Sequence, residues 1–215
     1  MEFSAVNQMV SPQLPVIFDI PVSGGKGELT LLEVELSAGE EEGTILVQII
    51  TNFSVSMGNK QIYNSHIQLK LLIKPDFNKL ESTLSATDIK MLSMELISDR
   101  YSMIKDTPKT LASFLPEPFK TMFVTTMVTT GMVMDSFGKS ELFRYLSLYL
   151  TGNMQRVLDF HHNDIEKIII NYAKSESFSY QLDESDFEEQ LFAELGEQLT
   201  VENEQLMFIF HPSKT

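Results

Sequence analysis

The sequence predicts an α+β protein, with an antiparallel sheet of about four strands in the N-terminal half, several helices packed against it, and an acidic helical C-terminal region. Three observations carry this expectation. From Val16 to Lys74 apolar and polar residues alternate with period two, the mark of half-buried strands. After about residue 85 the apolar spacing changes to three and four, the period of a helix. A chain of 215 residues with 43% hydrophobic and 21% charged residues has enough apolar mass to bury a core.

The elements follow in order. Val16–Ile20 reads as a short strand closed by Pro21 and the turn-forming Gly24-Gly25-Lys26-Gly27. In the second strand Leu32, Val34 and Leu36 alternate with Glu33 and Glu35, giving one apolar and one charged face. The acidic loop Glu40-Glu41-Glu42, bracketed by Gly39 and Gly43, leads to a long third strand. That strand sets Ile45, Val47, Ile49, Thr51, Phe53 and Val55 on one face. Met57-Gly58-Asn59 supplies a tight turn, because Gly and Asn accept positive φ. The fourth strand puts Ile67, Leu69, Leu71 and Ile73 on one face and His66, Gln68, Lys70 and Lys74 on the other, and Pro75-Asp76 ends it. Sequential strands with short turns make an antiparallel meander with one wet face.

Thr87 caps an expected helix beginning at Asp88, with Ile89, Leu92 and Leu96 on one stripe and Thr107-Pro108 closing it. A short element with Leu111, Phe114 and Leu115 precedes Pro116 and Pro118. Phe119–Met134 reads as a buried helix from the spacing of Phe119, Phe123 and Met127, against the bias of its β-branched residues. Further helices are expected over Leu142–Leu150, stopped by Gly152, and from Asn163 or Asp164, with Ile165, Ile168, Ile169 and Tyr172 on one side. Phe187, Leu191, Phe192 and Leu195 mark an amphipathic helix ending at Gly196, and Leu206–Phe210 forms a strand or an apolar latch. Residues 1–135 thus form the main core, and 136–215 an acidic helical region packed on it.

Composition removes several classes of function. With no cysteine, there is no disulfide, thiolate nucleophile or cysteine-ligated zinc, which is compatible with a reducing compartment. The start MEFSAVNQMVSPQLP lacks the basic and apolar regions of a secretory leader. The apolar stretch Phe119–Met134 is shorter and more polar than the roughly 20 apolar residues of a bilayer span. The expectation is a soluble protein, cytoplasmic or associated with an assembling particle, with no membrane insertion. Thirty acidic against sixteen basic residues give a net charge of −14, which opposes phosphate backbones, so no direct nucleic-acid contact is expected. Ten of the acids and no Lys or Arg lie between Ser175 and Pro212.

Candidate chemistry is sparse. His161-His162-Asn163-Asp164, with Glu166 near, holds metal-ligand residue types, but adjacent histidines point in different directions and no His-Glu-x-x-His spacing is present. Gly24–Gly27 lacks the remainder of a phosphate loop and leads into a strand, so it reads as a hairpin turn. No G-x-S-x-G elbow occurs, and Glu40–Glu42 and Glu188-Glu189 sit in solvated charge runs. No catalytic residue, metal ligand or cofactor is assigned. Seven of the twelve methionines gather in one stretch, at Met91, Met94, Met103, Met122, Met127, Met132 and Met134. Flexible thioethers fill cores and also line surfaces that accept varied partners. Candidate partner-binding residues are Met122, Met127, Met132 and Met134, together with Phe187, Glu188 and Glu189 of the acidic helix.

The stretch ILVQIITNFSVSMGNKQIYNSHIQLKLLI, followed by LPEPFKTMFVTTMVTTGM, resembles the SecB-type protein-export chaperones in hydrophobic pattern over residues 45–132. The resemblance implies a four-stranded antiparallel sheet followed by helices, assembly into tetramers, and apolar grooves that hold unfolded polypeptide. The segment from 85 to 107 and the eighty residues after Asp135 depart from that family.

The expected function is a non-enzymatic protein-binding module. One form is chaperone-like holding of polypeptide on an apolar, Met-rich surface. The alternative is a structural or adaptor subunit of a larger assembly, such as a phage particle or secretion machine, or an acidic inhibitor docking on a basic partner. A hydrolase with an unrecognised site is the third class. The partners would be other proteins or further copies of this chain.

Overall fold

The computed structural model describes residues 2–22, 25–57, 59–98, 148, 154–175, 179–183, 185–202 and 204–210. Strands take 55% and helices 28% of these residues. The chain is therefore mostly β, and this overturns the expected α+β class with a helical C-terminal region. In place of a four-stranded meander there is a six-stranded antiparallel sheet whose strands lie in chain order, plus a separate two-stranded sheet.

The sheet is built from β1 (Val16–Ile20), β2 (Lys26–Ala38), β3 (Ile45–Met57), β4 (Lys60–Asn78), β5 (Thr83–Ser98) and the short β6 (Tyr180–Gln181). Its inner face follows from period-two patterning. Ile45, Val47, Ile49, Thr51, Phe53 and Val55 of β3 and Ile67, Leu69, Leu71 and Ile73 of β4 are all buried. Each such Leu or Ile contributes about 2 kcal/mol of transfer free energy. In β2 a bulge between Leu31 and Glu33 shifts the register. The bulge leaves Leu32 exposed and makes Leu29, Leu31 and Leu36 the buried positions. Pro75 does not end β4, which runs on to Asn78 and pairs Pro75 with Ala86.

The helix expected from Asp88 is instead strand β5. Its register against β4 shifts at three places. A bulge sets two residues of one strand opposite one of its partner. The inward-packed residues of β5 consequently fall at Leu84, Ala86, Ile89, Met91, Met94 and Leu96, in steps of two and three rather than strictly two. That mixed spacing imitates a helical stripe in the sequence. Leu92, a member of the apparent stripe, falls at a register shift and is exposed, as is Ile97 at another, and Asp88 takes a positive φ of 47° where a helix would need a negative one.

Helix α1 (Phe3–Val10) lies against β2. Beyond the stretch paired with β1, the Asn7 side chain bonds the Leu36 backbone twice: its Nδ2 donates to the carbonyl at 3.1 Å and its Oδ1 accepts from the N–H at 2.8 Å. A side-chain amide thus stands in for a strand neighbour. Helix α2 (Met154–Ala173) covers the inner face and begins well before the Asn163 start expected from sequence. Val157, Leu158, His161, Ile165, Ile169 and Ala173 form its buried stripe, and Tyr172 meets Phe18 of β1 edge-on at 5.0 Å.

The last part of the chain holds α3 (Phe187–Leu195), β7 (Gly196–Glu202) and β8 (Gln205–Phe210). The acidic C-terminal region is therefore a helix with a hairpin and not helical throughout. Helix α3 passes into β7 without a loop, and Gly196 makes that possible, because a Cβ there would overlap the Phe192 ring. The elements expected over 99–147 and 149–153, including the Phe119–Met134 helix, lie outside the described residues.

Candidate functional site

The C-terminal unit is organised around Phe192. This side chain is buried, with its ring 4.5 Å from Phe77 of β4, 4.4 Å from Phe208 and 5.7 Å from Phe210. One face of α3 is thereby fixed against the sheet and the hairpin. Successive helical residues turn by about 100°, so Phe192 points roughly a right angle away from Leu191. Phe187, Leu191 and Leu195, spaced by four, fall on the side that faces solvent. They are 74%, 38% and 52% exposed.

Hydrogen bonds hold this orientation. Asp186 caps the helix, its carboxylate accepting from the N–H groups of Glu188 at 2.9 Å and Glu189 at 3.1 Å. Such a cap contributes about 1 kcal/mol. Glu189 turns back toward the sheet and accepts from the Tyr180 hydroxyl at 2.9 and 3.1 Å and from the Asp183 N–H at 2.6 Å. The Tyr180 hydroxyl is held above its ordinary pKa, first by that bond to a carboxylate. Ser185 donates from its side chain and its backbone to Asp183, and this holds the Asp183 carboxyl below its ordinary pKa. Glu188 and Glu194 remain exposed, the latter accepting from Gln190 at 3.3 Å.

The sequence candidates separate here. Phe187 and Glu188 present their side chains outward on α3, whereas Glu189 is engaged in orienting the helix. Met122, Met127, Met132 and Met134 lie outside the described residues. Leu191 and Leu195 were readable from their spacing, but without a structure they look like the packed face of the helix. The exposed Met207, Ile209 and Phe210 of β8 carried no separate signal.

The other candidates occupy unlike settings. His161 is fully buried, with its ring 5.2 Å from Phe53 and 5.1 Å from Phe160. Burial pushes its pKa down to about 4, against a smaller upward pull from Asp164, whose carboxylate lies 3.9 Å away. The imidazole is therefore neutral near pH 7 and enclosed by core, a poor position for proton exchange with a substrate. His162 faces outward toward Glu166 at 3.8 Å. Among the described residues no cluster of three His, Cys, Asp or Glu could hold a metal ion, and no helix is long and apolar enough to cross a membrane. A groove of about 380 Å³ between the N-terminal segment and the outer sheet face is lined by Glu33, Glu35, Gln48, Gln68 and apolar residues. Gln68 donates to Gln48 across it at 3.1 Å, and its lining includes no histidine.

Comparison with known proteins returns no matching family model and no matching characterised relative.

Proposed function

We propose that this protein is a non-enzymatic docking module that binds a cationic surface of another protein through its C-terminal unit. The observation that carries the reading is the outward row Phe187, Leu191 and Leu195 on α3, within a stretch from Ser175 to Pro212 that has ten acids and no Lys or Arg. Single exposed apolar residues are ordinary on protein surfaces, whereas a row of them on one helix face supports reading that face as an interaction site. Apolar contacts supply affinity, while the surrounding carboxylates speed encounter and reject anionic partners.

Affinity capture from an extract of the source cells tests this, comparing the full chain with Phe187→Ser/Leu191→Ser. The expected result is a discrete partner rich in exposed Lys and Arg that the wild type retains and the double variant loses. Retention of the same proteins by both would overturn the reading.

A further inference from the structure

We infer that the partner presents an amphipathic basic helix whose apolar seam lies along Phe187, Leu191 and Leu195 of α3. This rests on the docking reading above and names the partner element. The three anchors recur once per turn, over a length of about 12 Å at 1.5 Å per residue. A second helix repeats its side chains at the same interval, so its ridges fit between such anchors at an axial distance of about 8–10 Å.

The charge layout fits the same partner. Taking Phe187 as zero and about 100° per residue, the stripe runs from 0° to roughly 80° at Leu195. Glu188 falls near 100° on one side, and Glu194 near −20° on the other. Both are exposed. Carboxylates therefore border the seam on both sides, where Lys or Arg flanking an apolar seam would reach them, as charges beside a coiled-coil seam do. Helix α3 is already capped by Asp186 and anchored by Phe192. Binding then carries little ordering cost.

The test uses the full chain and a synthetic peptide of about 20 residues with leucines at helical spacing and lysines flanking them. A scrambled peptide of the same composition and a leucine/glutamate version serve as controls, read by fluorescence anisotropy at low and moderate salt. The ordered Leu/Lys peptide is expected to bind at least about tenfold more tightly than either control. Leu191→Ser and Leu195→Ser should each weaken it about tenfold. Leu92→Ser, at a 55% exposed position on β5, should leave it unchanged. Glu188→Gln with Glu194→Gln should weaken it several-fold and flatten its salt dependence. Equal binding of the scrambled peptide, equal binding of the Leu/Glu peptide, or indifference to Leu191→Ser and Leu195→Ser would each overturn the inference. If the peptide fails while the captured partner still depends on Phe187 and Leu191, only the helical form of the partner is lost. If both fail, the docking reading falls with it.

Discussion

His161 ties the stability of this fold to pH. Its imidazole is buried between α2 and the sheet, against Phe53 and Phe160, and the Asp164 carboxylate lies 3.9 Å from it. The folded pKa, about 4, lies below the ordinary 6.5, and burial is the dominant cause. On acidification the unfolded chain takes up the proton first. The stabilisation from keeping this histidine neutral is therefore complete above pH 6.5 and is lost as pH falls from 6.5 toward 4. Linkage between these two values gives a loss of about 2 kcal/mol between about pH 7.5 and pH 5, rising to about 3 kcal/mol below pH 4. Urea denaturation followed by far-ultraviolet circular dichroism, on wild type and His161→Leu at both pH values, isolates this contribution from that of the carboxylates. The leucine variant is expected to lose about 2 kcal/mol less on acidification. Equal losses in both proteins, or an NMR titration placing His161 near 6.5, would show that burial does not hold this imidazole neutral.

Two further outcomes follow from packing and hydrogen bonding. Asn7→Ala removes both bonds to Leu36 and should cost about 1–3 kcal/mol, with faster amide exchange at Leu36; unchanged exchange there would show that α1 is held by other contacts. Phe192→Ala takes away the ring shared by Phe77, Phe208 and Phe210 and should cost about 3–5 kcal/mol, with early proteolysis within α3. A loss under about 1 kcal/mol would mean the unit is not centred on that ring.

The central strands were legible in the sequence because a face buried all along its length forces strict alternation. Every inward position expected for β3, and Ile67, Leu69, Leu71 and Ile73 of β4, is buried. Alternation failed where the backbone gains residues. The bulges of β5 spread its inward positions to a mean step between that of a strand and that of a helix, and Thr87-Asp88 then imitates a helix cap. Pro75-Asp76 looks like the end of β4 in the sequence, and proline cannot donate to a ladder. It is nonetheless accommodated where β4 pairs with β5. The Asn7 contact was invisible because it joins residues 29 apart through a side chain. At the candidate site the helix and its charge were legible. The direction of its apolar residues was not, because Phe192 is turned inward by Phe77, distant in sequence, and by the β7–β8 hairpin. That choice of inward residue leaves Leu191 and Leu195 exposed and makes the surface.

Site-specific photo-cross-linking in the source cells tests the docking claim most directly. A photoreactive residue is placed at position 191 or 195 on α3, and for comparison at Ile17 or Leu92, which are as exposed and as apolar but lie on the main sheet. A discrete adduct with a basic protein is expected from positions 191 and 195 and none from 17 and 92. Adducts of equal yield from all four positions, or from 17 and 92 alone, would contradict it.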